Sequence, residues 1–280
     1  EERIFSTTDS ESFTIKGSYN INGSLINKID FNYRDSDYSL TEAHEEEEHH
    51  EEEEHDEEEE HEEHAPTVFM NEAVEYGATF DISNDSSTQK VVVNFVDEDN
   101  SIVGEEAFMN PANSKEFTIG YYLSKDLGIY DLDVGFRHDQ IERSGSVTEE
   151  EHGDEHGDEH GDEHGEVDYY NIDDSTNSFA VTLGRSLTDN LGVSLGYASV
   201  ERLPSSIELF MNGPHMATGR FEVGDPNLNS ETSNNFDITF NFDNGDFYAY
   251  ASFYITDVDN YIALIDEEYE HHEYEDDHHE

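Results

Sequence analysis

The chain has 280 residues, with 71 acidic against 12 basic side chains and a formal net charge of −59 at pH 7. So negative a chain repels nucleic acid and the anionic cytoplasmic surface of a membrane, and both are excluded as partners. The absence of cysteine excludes disulfides, thiolate metal sites and cysteine nucleophiles. Aromatic residues nevertheless make up 12% of the chain, which is more than a disordered acidic protein carries, so part of the chain is expected to fold.

Period-two alternation of apolar and polar residues is the main pattern of the folding part. Four hairpin units share it, each with two alternating stretches on either side of a short polar turn. The turns are predicted at residues 22–23, 124–126, 188–190 and 243–246. Two further strands are predicted at 74–80 and 90–96, and residues 104–111 read as irregular. The chain is therefore predicted to contain about ten strands of about ten residues each.

Three runs made of little but His, Glu and Asp interrupt this pattern. They occupy residues 41–66, 148–168 and 266–280 and hold 14 of the 16 histidines. They contain too few apolar side chains to form a core, so each run is predicted to be a long, disordered loop.

Tight turns thus alternate with long polar connections. That asymmetry, with one apolar and one polar face per strand, is typical of an outer-membrane β-barrel. A soluble β-sandwich also alternates. Asp131, Asp133 and Arg137, however, would stand on the buried face of a sandwich, whereas the lumen of a barrel is wet. An all-β transmembrane antiparallel barrel is therefore the predicted fold.

One segment carries a family resemblance. Residues 195–233 read LGYASVERLPSSIELFMNGPHMATGRFEVGDPNLNSETS. The segment resembles the barrel of TonB-dependent outer-membrane receptors, which carry an R-x-P-S-x-x-E-L-[FY] stretch and, after a loop, G-[DN]-P-x-L-x-x-E-x-S. The matching residues are Arg202, Pro204, Ser205, Glu208, Leu209, Phe210, Gly224, Asp225, Pro226, Leu228, Glu231 and Ser233. The stretch N-G-P-H-M-A-T-G at 212–219 is similar to that of the zinc-uptake branch of these receptors.

The resemblance implies that residues 1–280 form part of such a barrel, about 10 of its about 22 strands. The chain is expected to be a fragment, because the plug domain and the energy-coupling box of the family are absent from the sequence. The resemblance also implies a Gram-negative outer membrane, lipid around the barrel, acidic loops on the extracellular side, and coupling to TonB–ExbB–ExbD through the missing plug.

The histidines of the runs are the candidate metal ligands. Imidazole nitrogen binds zinc, copper and nickel, and carboxylate oxygen completes their coordination. In the second run, His recurs every four residues among Glu, Asp and Gly, which a plain acidic surface tract does not explain. The predicted metal ligands, which include one histidine outside the runs, are His44, His49, His50, His55, His61, His64, His152, His156, His160, His164, His215, His271, His272, His278 and His279.

A second set of residues is predicted to line the substrate path. His138 is expected to end a strand at the barrel rim, just before the second run, and Glu222 and Asp225 could supply oxygens near His215. The alternative interpretation is that His215 and His138 are surface residues without a function. For Arg202 and Glu208, a structural ion pair that fixes the loop against the wall is the preferred interpretation.

The predicted function is outer-membrane uptake of a divalent metal ion, most plausibly zinc, with the runs capturing the ion at the cell surface. A receptor for a metal chelate such as a siderophore or haem is one alternative, although acidic loops would repel an anionic chelate. A surface metal buffer without transport is the other. No hydrolase or phosphate-binding motif occurs, so an enzyme and a catalytic cofactor are not predicted.

Overall fold

The computed structural model describes residues 3–21, 23, 25–45, 65–104, 107–148, 166–215 and 219–266. Twelve strands and one short helix occur in this order: β1 (Arg3–Asn20), β2 (Lys28–Glu45), β3 (Thr67–Asp81), β4 (Thr88–Val103), β5 (Ala112–Asp126), β6 (Asp131–Thr148), β7 (Val167–Thr188), β8 (Leu191–Arg202), α1 (Ser206–Phe210), β9 (Asn212–His215), β10 (Arg220–Val223), β11 (Glu231–Asp243) and β12 (Tyr248–Asp259). Within these residues, no helix is long or apolar enough to cross a bilayer.

Ten strands form one antiparallel sheet in the order β1 to β8, then β11 and β12. Each strand pairs with its neighbour in sequence, so all the short turns lie at one end of the sheet and all the long connections at the other. The predicted number of strands and the all-β class are confirmed. Among the described residues, β1 and β12 are the sheet edges, so the sheet is a barrel wall that does not close on itself.

Two turns differ from their predicted positions. Residues 124–126 belong to β5 and pair with residues 131–133 of β6, and the turn is closed one step later by the Leu127 N–H donating to the Tyr130 carbonyl at 2.8 Å. The first turn spans 21–27 rather than two residues, with the Ile21 N–H on the Asn27 carbonyl at 2.9 Å. Between β5 and β6, the backbone pairing continues beyond the end of the hydrophobic alternation. Between β1 and β2, the pairing stops before the Asn-Gly pair is reached.

The ten strands of the large sheet are longer than predicted, from 12 to 22 residues. About 9–11 residues are enough to cross a membrane at the usual tilt, so the longer strands extend well beyond it. Accordingly, residues 41–45, 148 and 167–168, predicted to be loop, belong to strands. Polar sequence is compatible with a strand there, because both faces of the extended wall meet water while the ladder satisfies the backbone.

The half of the sheet nearer the short turns carries an apolar belt on one face. Its side chains are large and substantially exposed, with Phe13 at 60% and Phe253 at 64%. A continuous apolar face of this size is not stable in water and requires lipid. Members of the belt, assigned from the strand register, are Phe13, Ile15, Phe31, Tyr76, Phe117, Ile119, Phe136, Phe179, Leu195, Phe236, Phe253 and Ile255.

The other face, called the inner face here, carries the charges predicted to need a wet lumen. Arg137 bonds the Asp139 carboxylate at 2.8 Å, and the Thr118 hydroxyl donates to the same carboxylate at 2.5 Å. The Tyr122 hydroxyl donates to Asp133 at 3.0 Å. Polar groups on this face therefore satisfy one another along and between strands, as the wall of a polar lumen requires.

The buried apolar core lies on the inner face, at the end of the long connections. Seven residues form it: Ile102, Phe108, Met109, Ala112, Leu209, Phe210 and Met211. They come from the ends of β4 and β5, from the connection between them, and from the connection between β8 and β11. The described residues of these two connections, which span 104–111 and 203–230, therefore fold inward onto the wall and pack against each other.

Candidate functional site

Helix α1 begins the inward fold of the 203–230 connection. Ser205 and Glu208 form a capping box: the Glu208 N–H donates to the Ser205 hydroxyl at 3.4 Å, and the Ser205 N–H donates to the Glu208 carboxylate at 2.6 Å. Arg202, the last residue of β8, bonds the same carboxylate at 2.8 Å. The ion pair preferred for these two residues is confirmed, and it explains the spacing of Arg, Ser and Glu in the motif.

Burial alone would raise the pKa of Glu208, but the hydrogen bonds from Arg202 and Ser205 outweigh it and hold that pKa below its ordinary value of 4.5. A lowered folded-state pKa stabilises the fold above the unfolded pKa, and the contribution is lost as pH falls through the folded value. We therefore expect Glu208→Gln to lower the melting temperature at pH 7 and to have little effect at an acid pH at which the Glu208 carboxyl is protonated. Thermal unfolding of the full-length receptor at both pH values tests this, and an equal loss at both would contradict it.

Phe210 anchors the helix to the wall. Its side chain is fully buried and stacks against Tyr170 of β7 at 6.1 Å between ring centroids. The ring lies over Gly145 of β6, where an added Cβ would stand 2.5 Å from the Phe210 Cδ2 atom. A glycine in the strand thus provides the slot that holds the start of the connection.

The next residues cross the 104–111 connection at very short range. The Asn212 N–H donates to the Phe108 carbonyl at 2.6 Å, and Met109 and Met211 form an isolated antiparallel bridge. At Gly213 a Cβ would stand 2.8 Å from the Phe108 Cα, so only glycine permits this approach of the two backbones. The crossing brings Phe108 directly beside the end of β9.

His215 stands at the end of β9, in the two-stranded sheet that β9 forms with β10. Its Nδ1 atom lies 3.1 Å from the Glu222 Oε1 atom, and its ring stacks on Phe108 with centroids 4.6 Å apart and planes 27° apart. The Phe69 ring lies 6.5 Å away. The imidazole side chain is 23% exposed and the carboxylate side chain 10%. The structure thus brings together two predicted residues, His215 and Glu222.

The first and second His/acid-rich runs both attach to the wall close to this pair. The first run ends where β3 begins at Thr67, two residues before Phe69, whose ring faces His215. The second run follows Thr148, whose carbonyl accepts a hydrogen bond from the Asn212 side chain at 2.7 Å.

The third run starts at the same place. Arg220 is paired with His215 across the two-stranded sheet and bonds Asp266, the first residue of that run, at 3.2 Å. One described end of each run is therefore linked to a neighbour of the His215–Glu222 pair: Thr67 through Phe69, Thr148 through Asn212, and Asp266 through Arg220.

Other predicted residues do not join the pair. Asp225 turns away: its carboxylate accepts the Asn227 N–H at 2.8 Å and closes a turn. His138 was expected to end a strand at the rim, but it lies in the middle of β6, with its Nδ1 atom 3.0 Å from Asn177 Oδ1. The strand register places it on the outer face, opposite to Arg137 and Asp139, two rungs from the belt residue Phe136.

The remaining predicted ligands lie, with one exception, outside the described residues. His44 lies in β2 opposite Ile4. The others fall outside the described residues: His49, His50, His55, His61, His64, His152, His156, His160, His164, His271, His272, His278 and His279. Within the residues that are described, no three His, Asp or Glu side chains converge as a metal site. The described part of the site is a His–Glu pair, and further ligands would have to come from elsewhere.

Sequence reasoning missed Phe108 and Phe69 as parts of the site. The two rings pack against each other at 5.9 Å, and each faces His215. Phe108 and Met109 are apolar residues within a segment read as an irregular connection, which was the available signal that this connection is buried. Phe69 lies in the apolar run 68–70 and on the face of β3 opposite to the belt residue Tyr76, so an apolar side chain on the otherwise polar face was the available signal there.

Fold and site together define the class of protein: one wall of a large outer-membrane barrel with an inward-folded cap on its polar face. The chain matches the family model described as "TonB dependent receptor-like, beta-barrel" over residues 2–269. The chain belongs to this family, whose members are outer-membrane transporters and not enzymes.

Solved structures agree in fold. The chain is similar to the copper transporter OprC (TM-score 0.66, 12% identity), covering 91% of this chain and 40% of that one. It is also similar to the Serratia marcescens hemophore receptor HasR (TM-score 0.63, 14% identity, 91% and 41% covered). A third similar structure is the open form of the ferric-catecholate import receptor Fiu from E. coli K12 (TM-score 0.56, 13% identity, 91% and 41% covered). The chain spans about two fifths of the length of these receptors.

Proposed function

We propose that this chain belongs to a receptor that takes up a divalent metal ion, with zinc as the preferred substrate, and that the end of the wall carrying the three runs faces the cell exterior. The single observation that supports this best is that a described end of each of the three His/acid-rich runs is linked to a neighbour of the His215–Glu222 pair. Chain segments rich in metal-binding groups start or end around one half-buried imidazole that can accept the ion from them.

The charge of the chain favours a cation over an anionic chelate. A formal net charge of −59 attracts cations to this end of the wall and repels the carboxylates or catecholates of a siderophore and the propionates of haem. Imidazole then discriminates among cations, because Ca²⁺ and Mg²⁺ prefer all-oxygen ligands while zinc and copper accept nitrogen.

The proposed path of the ion leads from the three His/acid-rich runs to His215 and onward into the lumen. Glu222 belongs to this path through its contact with His215. Asp225 is assigned to the turn that it closes, and His138 to the lipid-facing side, so neither is part of the proposal. Release into the periplasm would require a plug domain and the TonB–ExbB–ExbD system.

Uptake of radioactive zinc by cells that express the full-length receptor tests the proposal. We expect saturable uptake that is lost without TonB and that is not inhibited by haem or by ferric siderophores. Inhibition of zinc uptake by haem or by a ferric siderophore would instead indicate a receptor for a metal chelate. A surface metal buffer would bind zinc equally well with or without TonB, and no zinc would reach the periplasm.

A further inference from the structure

We propose that Glu222 and Phe108 are positioning residues that hold the His215 imidazole in one tautomer and one orientation, with Nε2 as the nitrogen that binds the metal. This inference rests on the proposed function, since it specifies how the same site presents its nitrogen ligand. It assigns Glu222 a role different from that of a metal ligand and gives Phe108 a role that its sequence context does not suggest.

The carboxylate of Glu222 sets the tautomer. An ionised carboxylate can only accept hydrogen bonds, so the 3.1 Å contact requires the hydrogen on His215 Nδ1. The lone pair of that neutral tautomer is on Nε2. Histidines that bind metals in proteins usually donate their other ring N–H to a carboxylate or carbonyl, which fixes the ring and raises the basicity of the ligand nitrogen.

Burial separates the two roles. The Glu222 side chain is 10% exposed and the His215 side chain is 23% exposed, so an ion arriving from the runs has better access to the imidazole. Glu222 stands opposite Gly213 in the β9–β10 pair, one diagonal step from His215 on the same face. Because Gly213 has no side chain, the carboxylate sits deep in the hairpin and points along it to the imidazole.

Phe108 fixes the plane of the ring. The hydrogen bond between Nδ1 and Glu222 does not by itself fix the plane of the imidazole ring, which retains freedom to tilt. The Phe108 ring, stacked at 4.6 Å and itself only 5% exposed, removes that freedom. Its own position is set by the core, through the Asn212–Phe108 backbone hydrogen bond at 2.6 Å. Two contacts from different connections thus define the position of one nitrogen atom.

The test is zinc affinity of the purified full-length receptor, measured by competition with a chelator so that the tightest site is observed, together with X-ray absorption of the bound zinc. Glu222→Ala should weaken zinc binding by ~10–100-fold, the usual cost of losing the partner of a metal-binding histidine. Glu222→Gln should restore most of the affinity, because its amide oxygen still accepts the Nδ1 hydrogen. The zinc spectrum of Glu222→Gln should show an unchanged set of nitrogen and oxygen ligands.

Phe108 has its own matched pair. Phe108→Tyr keeps a flat ring and should keep the affinity, whereas Phe108→Leu fills similar space without a stacking face and should weaken it severalfold. Melting temperatures are measured for all variants, and zinc affinities are compared at a temperature at which every variant is folded.

The outcomes distinguish a failure of the proposed metal site at His215 from a failure of the positioning role of Glu222. If His215→Ala leaves zinc affinity unchanged, the proposed site is wrong. If His215→Ala abolishes tight binding and Glu222→Ala does not weaken it, the site stands and the positioning role is wrong. If Glu222→Gln loses as much affinity as Glu222→Ala and the zinc spectrum loses an oxygen, Glu222 is a direct ligand and the inference is overturned.

Discussion

Replacing His215 by Ala in the full-length receptor should lower zinc uptake at every zinc concentration. In the proposed path the imidazole accepts ions from all three runs, and it is the only histidine in the described part of the cap, so excess zinc cannot compensate for its loss. The loss should be at least as large as the ~10–100-fold that follows removal of a supporting carboxylate. Initial rates of radioactive zinc uptake, measured across a concentration series, give both the plateau and the half-saturation point.

His138→Ala is the matched control for this experiment. It removes a histidine of the same chain from the outer face of β6, where it bonds Asn177 beside the lipid belt. Its uptake curve should superimpose on that of the unmodified receptor. Equal defects in the two variants would show that the inner face is not the route of the ion, and a defect in His138→Ala alone would reverse the assignment.

Deleting residues 46–63 should slow uptake at low zinc while leaving the plateau at high zinc nearly unchanged. The segment contains only Glu, Asp and His and so contributes no apolar surface to a core. Its role in the proposal is to raise the local concentration of cations, and fields of this kind increase capture rates by ~10–10³-fold at low ionic strength. The difference between deleted and intact receptors should therefore shrink as salt is added.

A charge-preserving variant separates the two properties of that segment. Substituting its four histidines, at 49, 50, 55 and 61, by Gln keeps the acidic field and removes the nitrogen ligands. If electrostatic capture dominates, this variant should behave like the intact receptor for zinc. If it behaves like the deletion, ligation by histidine is the main property of the run. A lowered plateau in the deletion would contradict a role confined to capture.

The fold could be predicted from the sequence because a barrel wall repeats one simple rule. Alternation at positions such as Phe236, Ile238 and Phe240 placed lipid on one face, and short polar turns joined neighbouring strands. Alternation stops predicting strands where neither face of the sheet contacts lipid. Beyond the membrane both faces are wet, alternation loses its meaning, and residues 41–45 were read as loop although the hydrogen-bond ladder continues through them.

The site could be predicted only in part, for a related reason. His215 was found because its motif resembles that of a family, and Glu222 because it lies seven residues away. Phe108 lies more than one hundred residues before His215 and reaches it through the packing of two connections. Contacts of that range depend on which backbones cross, and here a glycine at 213 decides the crossing. No local sequence pattern predicts a contact such as that between Phe108 and His215.

The cap with its own core has a practical consequence for work on the purified receptor. Its residues, with Phe210 fully buried, are stabilised by contacts within the protein, whereas the belt of exposed aromatic residues depends on a surrounding apolar phase. Exchange of one detergent for another should therefore perturb the two parts of the wall unequally, with the histidine held in a region that behaves like a water-soluble protein. Measurements of metal affinity made in micelles should for this reason carry over to the receptor in its native bilayer.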